Sequence, residues 1–101
     1  MTYVIFAMQS VLDPEPLEQY RSRVTPVVEK YGGKYLAADR SVEVREGNWP
    51  AMATVIIEFP SPEHARRWYT SPEYQAILPL RLKGASGPLI VVHGLEAAAS
   101  A

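Results

Sequence analysis

The chain has 101 residues, 48% of them apolar, no cysteine and a formal net charge of -1. That length is one domain, and the missing thiols exclude disulfides, cysteine nucleophiles and cysteine-held zinc or iron–sulfur centres. Lysines and arginines are scattered, so no basic stripe exists to neutralise the phosphates of a nucleic acid.

No apolar run approaches the ~20 residues of a membrane-spanning helix. The residues after Met1 lack the basic and long apolar regions of a secretion signal, so a cytoplasmic protein is expected. Tyr3 to Met8 is continuously apolar and reads as a strand buried on both faces. Asp13-Pro14-Glu15-Pro16 opens a helix, with Asp13 capping free N–H groups and Pro14 at the first helical position. Leu17, Tyr20, Val24, Val27, Val28 and Tyr31 form its apolar stripe, Pro26 kinks it, and Gly32-Gly33 ends it. Lys34 to Ala37 and Val42 to Arg45 read as one strand interrupted around Asp39-Arg40-Ser41 by a bulge or a short hairpin. Residues 46–50 are a turn carrying Trp49, and Ala53 to Phe59 is the next strand.

Ser61-Pro62-Glu63 caps a second helix and Ser71-Pro72-Glu73 re-caps the chain. Tyr74, Ile77, Leu78 and Arg81 share a face, and Pro79 kinks or ends that helix near Leu78. Residues 84–88 are a loop and Leu89 to Val92 a last apolar strand. This order is the split βαβ pattern of an α+β, ferredoxin-like βαββαβ fold: a four-stranded antiparallel sheet with two helices on one face. Residues 1–96 form this single domain and 97–101 a flexible tail. Three strands are apolar on both faces, and helices cover one face only. The open face therefore meets a second copy, giving a homodimer.

Three runs resemble a known family: Lys30-Tyr31-Gly32-Gly33-Lys34-Tyr35, then Val44-Arg45-Glu46-Gly47 with Trp49, then Val55-Ile56-Ile57-Glu58-Phe59-Pro60-Ser61 followed by Trp68-Tyr69 and Ser71-Pro72-Glu73-Tyr74-Gln75. From Tyr3 to Gly94 the chain resembles the DUF1330 group within the dimeric α+β barrel superfamily. Pro79 departs from the pattern, because relatives continue a helix there; Arg81 looks like the arginine of that pattern. The resemblance implies the fold and the dimer. It does not choose a reaction, because the superfamily includes cofactor-independent monooxygenases, muconolactone isomerase-like enzymes, haem-dependent chlorite dismutase-like enzymes and proteins of no known activity.

Glu58 and Arg81 are the candidate catalytic residues. A carboxylate buried in an apolar strand becomes a usable base or acid, and a guanidinium on an apolar stripe needs an anion. Trp49, Trp68, Tyr69, Tyr74 and His93 are candidate substrate-binding residues. The plainer alternatives are aromatic core packing, a structural Glu58–Arg81 ion pair or a snorkelling arginine. The two histidines, His64 and His93, show no metal-ligand spacing. No metal and no cofactor are expected; a haem protein would need one of these histidines on iron. The function expected is binding of a small organic acid or carbonyl compound, with cofactor-independent oxidation, monooxygenation or isomerisation as the associated chemistry. The alternative is a non-catalytic homodimeric binding or accessory protein.

Overall fold

A computed structural model describes residues 1–95; residue 96 and the expected tail, 97–101, lie outside the described residues. In chain order the elements are β1 (Thr2–Met8), β2 (Ser10–Val11), α1 (Pro14–Lys30), β3 (Lys34–Asp39), β4 (Ala53–Phe59), α2 (Pro62–Thr70), α3 (Pro72–Gly84), β5 (Ala85–Ser86) and β6 (Leu89–His93). Four strands form an antiparallel sheet in the order β3-β4-β1-β6, and β2 pairs with β5 separately.

Local chemistry sets the helix boundaries. Asp13 is extended and its carboxylate accepts from the Glu15 N–H. Ser61 accepts from the His64 N–H and Ser71 from the Tyr74 N–H, and a proline follows each of the three caps. At the end of α1, Gly32 takes φ 85, and the Gly33 N–H returns to the Val28 carbonyl. That left-handed turn closes the last carbonyls of the helix.

The structure corrects several expectations. Among the described residues three helices form rather than two, because Ser71 is extended (φ -63, ψ 147) and Pro72 has no N–H to continue α2. α3 does not end near Leu78 but runs through Pro79 to Gly84. The irregularity does not fall around Asp39-Arg40-Ser41 but earlier, as a bulge between Tyr35 and Ala37, and pairing continues to Asp39. Val42 to Arg45 is outside the sheet. β4 begins at Ala53, and the last β3 pair is Asp39 with Thr54, so residues beyond 40 find no neighbouring strand. The expected loop at 84–88 contains β5, held to β2 partly by a 2.6 Å bond between the Ser10 and Ser86 hydroxyls.

Sheet register divides side chains between two faces, since neighbours along a strand alternate. Tyr35, Ile57 and Val4 form one row beneath the helices, and Ala38, Val55, Phe6 and Leu89 form the next. The core sits there, with Trp68, Tyr74, Phe59, Val4 and Val28 fully buried. The opposite face carries the row Lys34, Glu58, Tyr3, Val92 and the row Ala37, Ile56, Ile5, Ile90. Among the described residues no helix covers this second face, and Ile90 is 50% exposed.

One ion pair ties the end of α1 to the start of α3. Lys30 Nζ bonds the Glu73 carboxylate, which also accepts from the Tyr31 hydroxyl at 2.9 Å. The Lys30 hydrogen bond, then the backbone N–H of Glu73 itself and the Tyr31 hydroxyl, hold the Glu73 carboxyl down at about 2, and the same pairing raises Lys30. A carboxylate whose folded-state pKa is depressed contributes stability above its unfolded value, 4.5, and loses it as pH falls toward 2. We expect acid unfolding followed by circular dichroism to lose part of its pH dependence in that window in Glu73→Gln. The pair is exposed, so high salt should shrink the difference. Identical acid profiles at low salt would refute the coupling.

Candidate functional site

A cavity of about 260 Å³ lies between the sheet and the helices. Protein interiors are close-packed, with few voids larger than a water molecule, so a space of this size is a feature to be explained. Its floor is the helix-side face of the sheet, including Val4, Phe6, Met8, Val55 and Ile57. The roof is α1, through Leu17, Tyr20, Arg21, Val24 and Thr25, with Trp68 of α2 at one side. Tyr35 completes the polar part of the wall.

Arg81 stands one layer behind this wall. It is 5% exposed, its guanidinium carbon lies 4.8 Å from the centre of the Phe6 ring, and Phe6 lines the cavity where Arg81 does not. Arg81 Nε is buried without a hydrogen-bond partner. Among the described residues no carboxylate comes within ion-pair distance of it. The ring face supplies a cation–π contact, which is weaker than a carboxylate partner.

Beside Arg81 is a pair of phenols. The Tyr20 and Tyr74 hydroxyls are 3.0 Å apart and their rings meet edge-on. Burial first, then the adjacent Tyr74 phenol, push Tyr20 far above the usual phenol range, while the charge of Arg81 pulls the other way. Burial likewise raises Tyr35, against a hydrogen bond from Thr25 that lowers it. Both phenols therefore stay protonated and act as hydrogen-bond donors.

The structure separates most residues singled out from sequence. Trp68 lines the cavity, its ring centre 4.2 Å from that of Tyr74 and 5.5 Å from that of Phe59, both in tilted contact. Tyr74 is fully buried behind the wall and Tyr69 sits at the surface of the same aromatic cluster. Glu58 faces away from the helices, between Tyr3 and Lys34 on the open face of the sheet. It cannot meet Arg81, so the structural Glu58–Arg81 pair does not form. Trp49 also belongs to the open side: its Nε1–H donates to Thr54 Oγ1 at 2.9 Å and its ring is 43% exposed. His93 ends edge strand β6 opposite Thr2 and is exposed. His64 bonds the Ser61 hydroxyl through Nδ1 at 2.7 Å. No cluster of three metal-ligating side chains occurs among the described residues.

Sequence reading overlooked Arg21, Thr25 and Tyr35 as wall residues. The signal was available in part: Arg21 is one turn after Leu17, and Thr25 one turn after Arg21, so both border the α1 stripe. Tyr35 needed the register, which sets it beside Ile57.

Solved structures with this fold include the RPA0582 protein of unknown function from Rhodopseudomonas palustris, at 18% identity and a TM-score of 0.73 over 93% of this chain and 82% of that one. A NIPSNAP domain protein from Burkholderia xenovorans is 12% identical, with a TM-score of 0.57 over 92% and 91% of the two chains. An antibiotic biosynthesis monooxygenase is 19% identical, with a TM-score of 0.54 over 94% and 99%. At such identities the likeness establishes the fold alone. No functionally curated protein matches the sequence. The family model described as "Domain of unknown function (DUF1330)" matches residues 1–95, nearly the whole chain, and the chain belongs to that family.

Proposed function

We propose that this protein binds a small organic acid or carbonyl compound in the cavity between sheet and helices. The observation that carries the reading is the cavity itself. It is an apolar space with a few polar groups at one side, backed by a buried arginine that no carboxylate among the described residues neutralises. Convergence of a few polar groups on an apolar hollow is the usual form of a small-ligand site. Arg81 acts through Tyr20, holding positive charge behind a phenol that donates toward the ligand.

Binding is better supported than turnover. No carboxylate and no histidine is among the described residues lining the cavity, and Glu58 lies on the other side of the sheet. Proton abstraction by Glu58 or His93 is thus not served by one protomer, and any oxidation or isomerisation would draw on a substrate acidic enough to need no strong base. The test is a thermal-shift panel of small aromatic and aliphatic acids, ketones and lactones. A ligand at 100 times its dissociation constant adds ~2.7 kcal/mol, and a domain of this size gains roughly 4–8 °C per kcal/mol. At least one class should shift the midpoint by several degrees; a flat response across the panel would sink the proposal.

The open sheet face supports a second part of the reading, a homodimer of dimeric α+β barrel type. Ile5, Ile56, Ile90, Tyr3 and Val92 form a contiguous apolar surface there, and exposed patches of this kind mark association surfaces. Sedimentation equilibrium should return twice the chain mass for wild type and the single-chain mass for Ile56→Lys, with unchanged circular dichroism. A monomeric wild type would refute the dimer.

A further inference from the structure

The polar groups of the cavity wall are concentrated on one short stretch of α1 and the strand beneath it. Tyr20, Arg21 and Thr25 come from α1 and Tyr35 from β3, and nearly all the remaining wall is apolar. Arg21 lines the cavity while its side chain is 42% exposed, so it stands at the mouth.

Its donors are largely uncommitted. Among the described residues its one ion pair is with Glu18, at 3.9 Å, and the Glu18 side chain is 76% exposed. A solvated pair at that distance holds neither partner firmly, and a guanidinium offers five donors in a fork that matches a carboxylate. Thr25 and Tyr35 line the same side of the cavity, and the protonated Tyr35 hydroxyl has a proton to donate. The Arg21 guanidinium and the Tyr35 hydroxyl thus meet one apolar space, and no carboxylate is among the described residues of its wall.

Size limits the ligand further. A cavity of about 150 Å³ suffices for benzene, so 260 Å³ takes a single substituted ring or a short chain. Resting on the binding reading above, we infer that the ligand is a compact apolar monocarboxylate, a single substituted ring or a short chain. Its carboxylate is held at the mouth by the Arg21 guanidinium and the Tyr35 hydroxyl, and its body fills the space above Val4, Phe6 and Val55. Arg21 is then the residue that selects acids over neutral analogues, and Arg81 a positioning residue behind Tyr20.

The test is isothermal titration of the full chain with benzoate and benzamide, and with hexanoate and hexanamide. Each pair has nearly the same shape and differs in charge. Wild type should bind at least one acid at least about tenfold more tightly than its amide, the range of a charge-assisted bond. Arg21→Gln should remove that preference, Tyr35→Phe should reduce it, and Glu18→Gln should leave it intact. Equal binding of acid and amide, an acid preference that survives Arg21→Gln, or no binding of any of the four would each overturn the inference. The broader panel keeps the two readings distinguishable, because a ketone or lactone that binds there leaves the cavity reading standing. Val55→Phe fills the cavity from its floor, and an acid that binds it undiminished would overturn both readings.

Discussion

Replacing Trp68 by alanine should cost about 3–5 kcal/mol, the usual range for removing a large buried aromatic. Trp68 is 1% exposed, lies at the centre of the ring cluster with Phe59, Tyr69 and Tyr74, and also walls the cavity. The hole left by the indole would merge with space that already exists, so neighbouring side chains have little to collapse onto. Such a loss is a large share of the roughly 5–15 kcal/mol that stabilises a typical domain. Trp68→Phe separates two contributions. The indole Nε1–H is buried without a partner, and an unsatisfied donor costs about 1–3 kcal/mol. Phenylalanine removes that cost while keeping most of the ring contact, so it should lose far less than alanine. Urea unfolding of the two variants decides the matter. Equal losses would mean that the ring contact kept by phenylalanine contributes little.

Arg81→Met should hold or raise stability while weakening ligand binding. A buried guanidinium without a carboxylate partner is held at the expense of its hydration. Methionine has a similar length, adapts its shape and can pack on the Phe6 ring. Swaps of buried ionic groups for apolar ones have been neutral or stabilising by about 1–4 kcal/mol, so the thermal midpoint should stay level or rise. The binding panel should weaken for ligands that wild type accepts, because Tyr20 loses the charge behind it. A group retained against stability is the signature of a functional site. The opposite outcome, a clear fall in midpoint with binding intact, would show that Arg81 is structural.

Much of the fold was legible in the sequence because its boundaries are local. Asp13, Ser61 and Ser71 cap helices by reaching N–H groups two or three residues away, and prolines and Gly32 close the alternatives. Strand composition also foretold an open apolar face: Ile5, Ile56 and Ile90 lie there in one cross-strand row. Pairing and enclosure were not legible, because they depend on residues far apart in the chain. Val42 and Val44 alternate with Glu43 and Arg45 as a strand would, yet no neighbour reaches them once β4 starts at Ala53. Glu58 and Arg81 looked like partners because both are charges among apolar residues. Register puts Glu58 on one face of the sheet while α3 holds Arg81 over the other. Sequence thus determined the elements, their caps and the family, each written in short-range spacing. The cavity, its Arg21–Thr25–Tyr35 edge and the isolation of Arg81 were decided only when α1, α2 and α3 settled over one side of the sheet, since a space is defined by all of its walls at once.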